Sequence, residues 1–400
     1  MRRSFAVGPA LVALTACSLI ENFDGYTSGS EGGAPGSDAS IDAPFGADSG
    51  DASSGDGSHD AALGDVTSGD EGVPADAVAT DTSGQTPAAY IYVLGGVVGL
   101  GSTPSSDVLS APAYADGSLG AWSATTSLPV AISTQGTTAL NGSIFSFGGT
   151  PDGASALTTV YSTQASGGGN VGAWTMQTQL GTNRFGQGAA VTGSRVYAVG
   201  GHDSSGALAG TESAAPTGGG VVSGWSADSV LPTARDLGAA CIYNGIIYLA
   251  AGSDDGAPDG ASSIVYAAPI EGDGSLGTWV DTSILMTRRW GATCTIFSAR
   301  LYVFGGQDSS GNFYGDVQWS PIAGDGSLGS WTQTTGFAPS RFEHATVAIG
   351  NRVYVIGGAG SAGLLSDVQV GEIGGDGSIA SWTPVTSLPA ARALHGAVAF

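Results

Sequence analysis

The chain of 400 residues contains no lysine. Its 11 basic residues are all arginine, set against 34 acidic ones, for a formal net charge of -23. That absence removes Schiff-base chemistry and lysine phosphate cradles from consideration. No basic cluster occurs either, which argues against nucleic acid and anionic lipid as partners. Cysteine is scarce, at three, and histidine numbers four. Without a Cys-x-x-Cys or His-x-His spacing, neither a metal nor any other cofactor is expected. The amino-terminal apolar stretch, Phe5 to Leu14, is too short to span a bilayer as a mature helix.

What is present at the amino terminus has the form of a secretory signal: Met1-Arg2-Arg3, the apolar stretch, then Leu14-Thr15-Ala16-Cys17. The last four residues closely resemble the lipobox of bacterial lipoproteins. That resemblance implies cleavage before Cys17, which would carry diacylglycerol and an acyl chain, a stable anchor where a single chain is marginal. Ser18 implies sorting to the outer membrane of a Gram-negative bacterium, facing the periplasm or the surface. Residues 18–87 hold 14 acidic residues and no basic one. With little apolar surface to bury and strong self-repulsion, such a segment is expected to be disordered. Seventy flexible residues span about 45–50 Å, enough to hold a domain clear of a membrane. His59 reads as a solvated bystander. The expected organisation is a signal peptide over 1–16, a lipidated cysteine with its acidic linker over 17–87, and a folded region over 88–400.

The folded region is periodic. Short apolar runs end in glycine at 96, 149, 201, 252, 306 and 358, in steps of 51 to 54 residues. Five end in Gly-Gly and the fourth in Ala251-Gly252. Trp122, Trp174, Trp225, Trp279, Trp331 and Trp382 keep the same interval, each after a glycine-rich turn. Four of those turns begin with Asp-Gly, at Asp116, Asp273, Asp325 and Asp376, a hairpin signal because the turn needs positive φ. One Asp per loop cannot satisfy Ca²⁺. A third mark is Arg184, Arg235, Arg289, Arg341 and Arg392, each followed by a strand of small residues; Ile132 stands in the odd repeat. A period near fifty built from apolar strands predicts a propeller array.

Hydrophobics ending in Gly-Gly, then an aromatic, then Trp about 26 residues on, resemble the kelch repeat, and the resemblance covers 88–400. It implies an all-β, six-bladed kelch-type β-propeller with four antiparallel strands per blade and a buried Trp in each. The repeats begin without a small-residue strand and end with one, His395 to Phe400. The carboxy-terminal strand is thus expected to join the first blade and close the ring, protecting the edges.

Strand order puts the five arginines, Glu343, His344, His395 and His202 on one face, the face through which kelch proteins commonly bind. As a ring, Arg184, Arg235, Arg289, Arg341 and Arg392 suit an anion or a glycan carboxylate. Alternatively they cap carbonyls between blades, which their repetition favours. Glu343, His344 and Arg341 are the acid-base and carboxylate-binding candidates. His344 and His395 share a repeat position and read as hydrogen-bonded residues rather than metal ligands. Phe313 and Tyr314, in the loop after the fifth doublet, read as exposed aromatics able to stack on a sugar. The acidic loop Ser253 to Gly260 could hold a cation weakly. Cys241 and Cys294 lie on neighbouring small-residue strands. Their one-residue difference in offset from Arg reverses side-chain direction, so buried free thiols are expected. The Tyr-Cys crosslink and paired His of galactose oxidase, a kelch-containing copper enzyme, find no match. The leading expectation is a monomeric, membrane-tethered binding module for a protein or glycan. Its rivals are a sugar-active enzyme resembling the sialic acid mutarotase kelch proteins and an envelope scaffold.

Overall fold

The repeats fold into antiparallel sheets, six of them with four or five strands and three smaller. A computed structural model describes residues 84–99, 103–254 and 260–400, with the backbone of Cys17 and Ser18. The signal segment, the Cys17 side chain, most of the linker with His59, and residues 255–259 of the acidic loop lie outside the described residues.

Each large sheet follows one repeat. Sheet 2 pairs Gly136–Leu140 with Ser143–Phe147 and then Val160–Ser166. Sheet 3 runs Gly188–Val191, Val196–Val199, Thr211–Ala214, Ser226–Ala227. Sheet 4 runs Ala239–Tyr243, Ile246–Ala250, Ser262–Pro269, Val280–Arg289. Sheet 5 runs Thr293–Phe297, Arg300–Gln307, Phe313–Pro321, Thr332–Thr334. Sheet 6 runs Ala345–Ile349, Arg352–Ile356, Val368–Ile373, Ile379–Val385. Cys17–Ser18 lies parallel along its first strand. Sheet 1 joins both ends of the chain: Gly396–Ala399 pairs with Ala89–Leu94, followed by Val108–Ala113 and Ser123–Ala124.

Strand alternation explains how the sheets pack. Successive side chains point to opposite faces, so in sheet 5 Leu301 and Val303 enter the core shared with sheet 4, and Tyr302 and Phe304 the core shared with sheet 6. Every consecutive pair of sheets shares such a core, and sheet 6 shares one with sheet 1 through Val347, Tyr354, Ile91 and Ala397.

Polar links run in the same direction. The Tyr197, Tyr248, Tyr302 and Tyr354 hydroxyls donate to the carbonyls of Gly274, Gly326, Gly377 and Gly117, the turn glycines of the next sheet, at 2.8 to 3.2 Å. The repeated indoles reach the other way, as Trp382 Nε1 does to the Thr335 carbonyl and Trp122 Nε1 to that of Thr386. That role keeps their rings at the rim. Only Trp279 is buried and the other five are half-buried, which corrects the expectation of six buried indoles.

Six residues with positive φ form a circle of peptide groups: Thr134, Gly186, Leu237, Gly291, Glu343 and Leu394. Each amide donates to the carbonyl of the residue before it in that order, at 2.9 to 3.2 Å, and Thr134 donates to Leu394. Four of the six are not glycine, a conformation costing on the order of 1–3 kcal/mol each. The circle of bonds holds them there.

Cys241 and Cys294 form a disulfide with Cα atoms 6.3 Å apart. The expectation of free thiols is corrected by the same alternation. Cys241 points from sheet 4 toward sheet 5, and Cys294 points back from sheet 5 toward sheet 4. Opposite faces of equivalent strands are the two faces that meet between neighbouring sheets, so the reversal brings the sulfurs together.

Deleting Arg392 to Phe400 removes the first strand of sheet 1 and breaks the peptide circle at Leu394. The truncated chain should aggregate or lose its cooperative thermal transition, checked by calorimetry and light scattering. A transition unchanged in temperature would refute this dependence.

Candidate functional site

The arginines lie where each sheet begins, and they straddle two sheets. The amide of the second glycine of each doublet donates to the carbonyl at the arginine position of the next repeat: Gly96 to Ile132, Gly149 to Arg184, Gly201 to Arg235, Gly252 to Arg289, Gly306 to Arg341, Gly358 to Arg392. The guanidinium turns into its own sheet. Arg184, Arg289, Arg341 and Arg392 donate through Nη1 to the carbonyls of Gly200, Gly305, Gly357 and Gly95, the first doublet glycines, at 2.6 to 3.0 Å. A Cβ on those first glycines would lie 2.1 to 2.7 Å from the neighbouring sheet's carbonyl oxygen, which is why the position is glycine.

A carboxylate completes each clamp. Arg184 pairs with Glu212 at 2.6 Å, Arg289 with Asp316 at 2.8 Å, Arg341 with Asp367 at 2.6 Å and Arg392 with Asp107 at 3.5 Å. Gln318 and Gln369 donate to Asp316 and Asp367, so the Asp-Val-Gln triplets of the third strands are part of the clamp. Sequence reasoning gave these carboxylates no role; the recurrence of Asp-Val-Gln in successive repeats, at Asp316 and Asp367, was the available signal. All five guanidiniums are 0–2% exposed. The structure places them inside the sheets rather than in an open ring of donors; four cap carbonyls, but of their own sheet and not between blades as expected, and Arg235 donates to a hydroxyl instead.

Two sheets depart together from the pattern. Sheet 2 has Ile132 instead of arginine, and Thr159 stands where the carboxylate would. Sheet 4 keeps Arg235 but has Ile264 at the carboxylate position and Ala251, with φ 64°, for the first glycine. Arg235 donates to the Tyr266 hydroxyl at 3.1 Å, lies over its ring, and stands 3.8 Å from Asp254.

The mouth of the arginine face is closed by apolar side chains. Leu237, Leu394, Trp290, Phe342, Val97 and Ala393 form one buried cluster there. Glu343 sits in the peptide circle with its carboxyl fully buried and neither oxygen hydrogen-bonded. Burial pushes its pKa well above the ordinary value of 4.5. His344 is also fully buried; its Nε2 is 3.0 Å from Thr293 Oγ1, and burial, then Arg341 and His395, hold its pKa well below 6.5. His395 is pushed down to about 3, chiefly by burial and then by Arg392. At the same repeat position Gln135 and Gln187 donate to the carbonyls of Leu94 and Phe147 in the preceding sheet. His344 and His395 likewise pack against Gly305 and Gly357 of theirs. Arg341, Glu343 and His344 are therefore neighbours in sequence, and all three are sealed from solvent.

The remaining candidates spread over the same face. His202 is half-buried, packs on Phe185, and has its pKa lowered by burial. Phe313 and Tyr314 are half-buried, which corrects their reading as exposed rings. Phe313 packs on Phe342, and Tyr314 lies under Arg289 with its hydroxyl donating to Asp308 at 2.7 Å. Among the described residues no group of three His, Cys, Asp or Glu is placed to hold a metal ion.

No family profile matches the chain, and no curated protein matches it. Solved structures do. The structure of YjhT aligns with a TM-score of 0.56 at 13% identity, over 75% of this chain and 99% of YjhT. The fold is that of a kelch-like β-propeller. At that identity the likeness concerns the fold alone, and it extends the resemblance carried by the glycine doublets.

Two outcomes follow from the buried charges. Arg184→Ala strands Glu212, whose side chain is 6% exposed; it should cost about 3–5 kcal/mol in denaturant unfolding. Arg235→Ala, whose acidic partner among the described residues is the 45% exposed Asp254, should cost clearly less, and equal losses would refute the clamp. The Glu343 shift has the opposite sign to an ordinary ion pair. A raised folded-state pKa gives stability that is complete below the unfolded value near 4.5 and declines as pH rises toward the folded value. Glu343→Gln should thus melt above the parent at pH 8 and together with it at pH 4. An equal gap at both would refute burial of the neutral acid. His395 acts oppositely: stability falls as pH drops from 6.5 toward its folded value of about 3, and His344, also held below 6.5, adds in the same direction.

Proposed function

We propose that the chain is a six-bladed kelch propeller, closed where Gly396–Ala399 completes sheet 1, and that it acts as a noncatalytic module binding a protein or a glycan. Support for closure comes from the core shared by sheets 6 and 1 and from the circle of six peptide bonds. The observation that carries the binding reading is the commitment of the charged framework. The arginines and Glu343 are buried at 0–2% exposure, four of the guanidiniums in clamps to their own sheets, leaving the connecting loops as the parts free to differ. A propeller scaffold does not name the ligand, so the loops must.

A second reading, a sugar-active enzyme of the mutarotase kind, is favoured by one observation: Glu343 is an unpaired carboxyl poised at the mouth. It would need Leu237, Leu394 or Phe342 to move aside before substrate reached it.

The tether belongs to the same proposal. Supported by the lipobox resemblance, Cys17 is acylated and holds the propeller at the outer membrane through the acidic linker. A membrane-embedded Cys17 and a Cys17–Ser18 strand paired with Thr346 and Val347 exclude one another, so the mature chain adopts the first only.

The test is capture from cell envelopes and on a glycan array with the 84–400 propeller, beside palmitate labelling of the full chain. A saturable partner, together with label lost and protein released to the soluble fraction on Cys17→Ala, is the expected outcome. An empty capture combined with anomer interconversion that Glu343→Gln abolishes would overturn the binding module in favour of the enzyme.

A further inference from the structure

On the turn face, away from the arginines, a cleft of about 410 Å³ opens between sheets 6 and 1. Its walls follow from strand alternation. Val370 and Glu372 on one strand, and Ser381, Thr383 and Val385 on the next, look across at the turn that begins with Asp116. The valines, with Pro384 and Leu119, make an aliphatic floor. The hydroxyls of Ser381 and Thr383 make the wall, and Asp116, Arg352 and Glu372 make the rim.

This junction lacks a wedge that three of the other sheets carry. Near the start of the second strand, sheets 1, 4 and 5 place Pro112, Pro269 and Pro321 opposite Tyr90, Ile246 and Arg300, whereas sheets 2 and 3 have Gln164 opposite Ser143 and Ala214 opposite Val196. Each of those prolines packs tightly on a glycine of the turn that follows, Gly120, Gly277 or Gly329. In sheet 6 the residue opposite Arg352 is Glu372, and a carboxylate 61% exposed replaces the wedge.

The one cation of the rim is largely spent. Arg352 Nη1 donates to the Ala115 carbonyl at 2.7 Å, and its Nη2 stands 3.5 Å from Glu372. Asp116 Oδ1 accepts from the amide and hydroxyl of Ser118, and the Gln85 side chain also hydrogen-bonds to this carboxylate. Glu372 Oε1 accepts from Asn351 Nδ2 at 3.0 Å, so each of its oxygens has one partner and one lone pair to spare. The rim thus offers acceptor sites and hydroxyls around an aliphatic floor, with two carboxylates against one arginine. A carboxylated ligand would meet repulsion. A hydroxylated ligand with an ammonium group matches each wall, and the volume lies in the range of small-ligand pockets.

We propose that this cleft binds an amino sugar, with the ammonium at Glu372 and Asp116, the ring hydroxyls on Ser381 and Thr383, and the C–H face of the ring on Val370 and Val385. The proposal rests on the glycan arm of the binding-module reading and gives it a ligand class and a place on the turn face.

The test is calorimetric titration of the full chain with the β-1,4-linked glucosamine disaccharide, with its diacetylated form and a neutral glucose disaccharide as comparators. Saturable binding of the free amine is expected, at least about tenfold tighter than either comparator. Glu372→Gln should lose that tenfold, and Ser381→Trp should fill the cleft and abolish the heat while leaving the circular dichroism unchanged. Equal binding of all three sugars, indifference to both substitutions, or no heat from the amine would each overturn the amino-sugar site. Partner capture by the Ser381→Trp chain separates the two proposals, because the loop-face module remains intact in that variant.

Discussion

The structure depends on one contact made where a glycine doublet meets the start of the next sheet. The second glycine gives its amide to the carbonyl at the arginine position, and the arginine side chain then turns back into its own sheet to hold the first doublet carbonyl and a carboxylate. One residue thereby fixes the spacing between two sheets and the geometry within one. Carbonyl and guanidinium are polar groups buried away from water, and each would be costly unpaired. Their mutual satisfaction is why glycine, arginine and acid recur together. Where the set is incomplete the acid is the member always missing: Ile132 comes with Thr159 beside an intact Gly148-Gly149, and Arg235 comes with Ile264 and Ala251.

The sequence made the repeat legible because backbone constraints leave few choices. Gly95, Gly200, Gly305 and Gly357 lie so close to a facing carbonyl that no side chain fits, and a constraint of that kind prints itself at a fixed interval. The Asp-Gly turns are legible for the same reason. Side-chain destinations were less so. Trp122 and its equivalents look like core residues by type, yet their N–H groups reach a carbonyl or hydroxyl of the neighbouring sheet, so five of the six rings sit at the rim. Cys241 and Cys294 were misread because direction was judged within one strand frame. Two sheets packed face to face present opposite faces to each other, and a one-residue offset is what a bridge between them needs.

The burial of the candidate residues was not legible. Arg341 is committed to the Asp367 clamp, while Glu343, His344 and His395 are fully buried. Nothing in their spacing tells that Leu237, Leu394, Trp290 and Phe342 would cluster beside them, since those four come from four different repeats and meet only in the fold. Polar residues set among glycines read as a ligand-facing loop; here they are the fastening of the hub. Phe313 and Tyr314 follow the same rule. An aromatic after a doublet looks solvent-facing, but Tyr314 covers the Arg289 clamp and Phe313 covers Phe342.

Glu343 is the place where this logic strains. Its backbone is required by the peptide circle, but the circle asks only for positive φ, and Gly186 and Gly291 meet that demand at no steric cost. Leu237 and Leu394 meet it with side chains that add to the plug. A glutamate meets it while burying a carboxyl that finds no partner, so it forgoes both the conformational ease of glycine and the burial gain of leucine. Proteins retain such a group where its proton or its shape matters to something outside the fold, as with acids whose pKa is raised by an apolar enclosure. The apolar cluster beside it draws on the peptide circle through Leu237 and Leu394 and on small sheets through Val97, Ala393 and Ala359. An acid kept neutral beside that apolar cluster sits apart from the structural charges around it, and of the buried groups at the mouth it is the one the clamps do not explain.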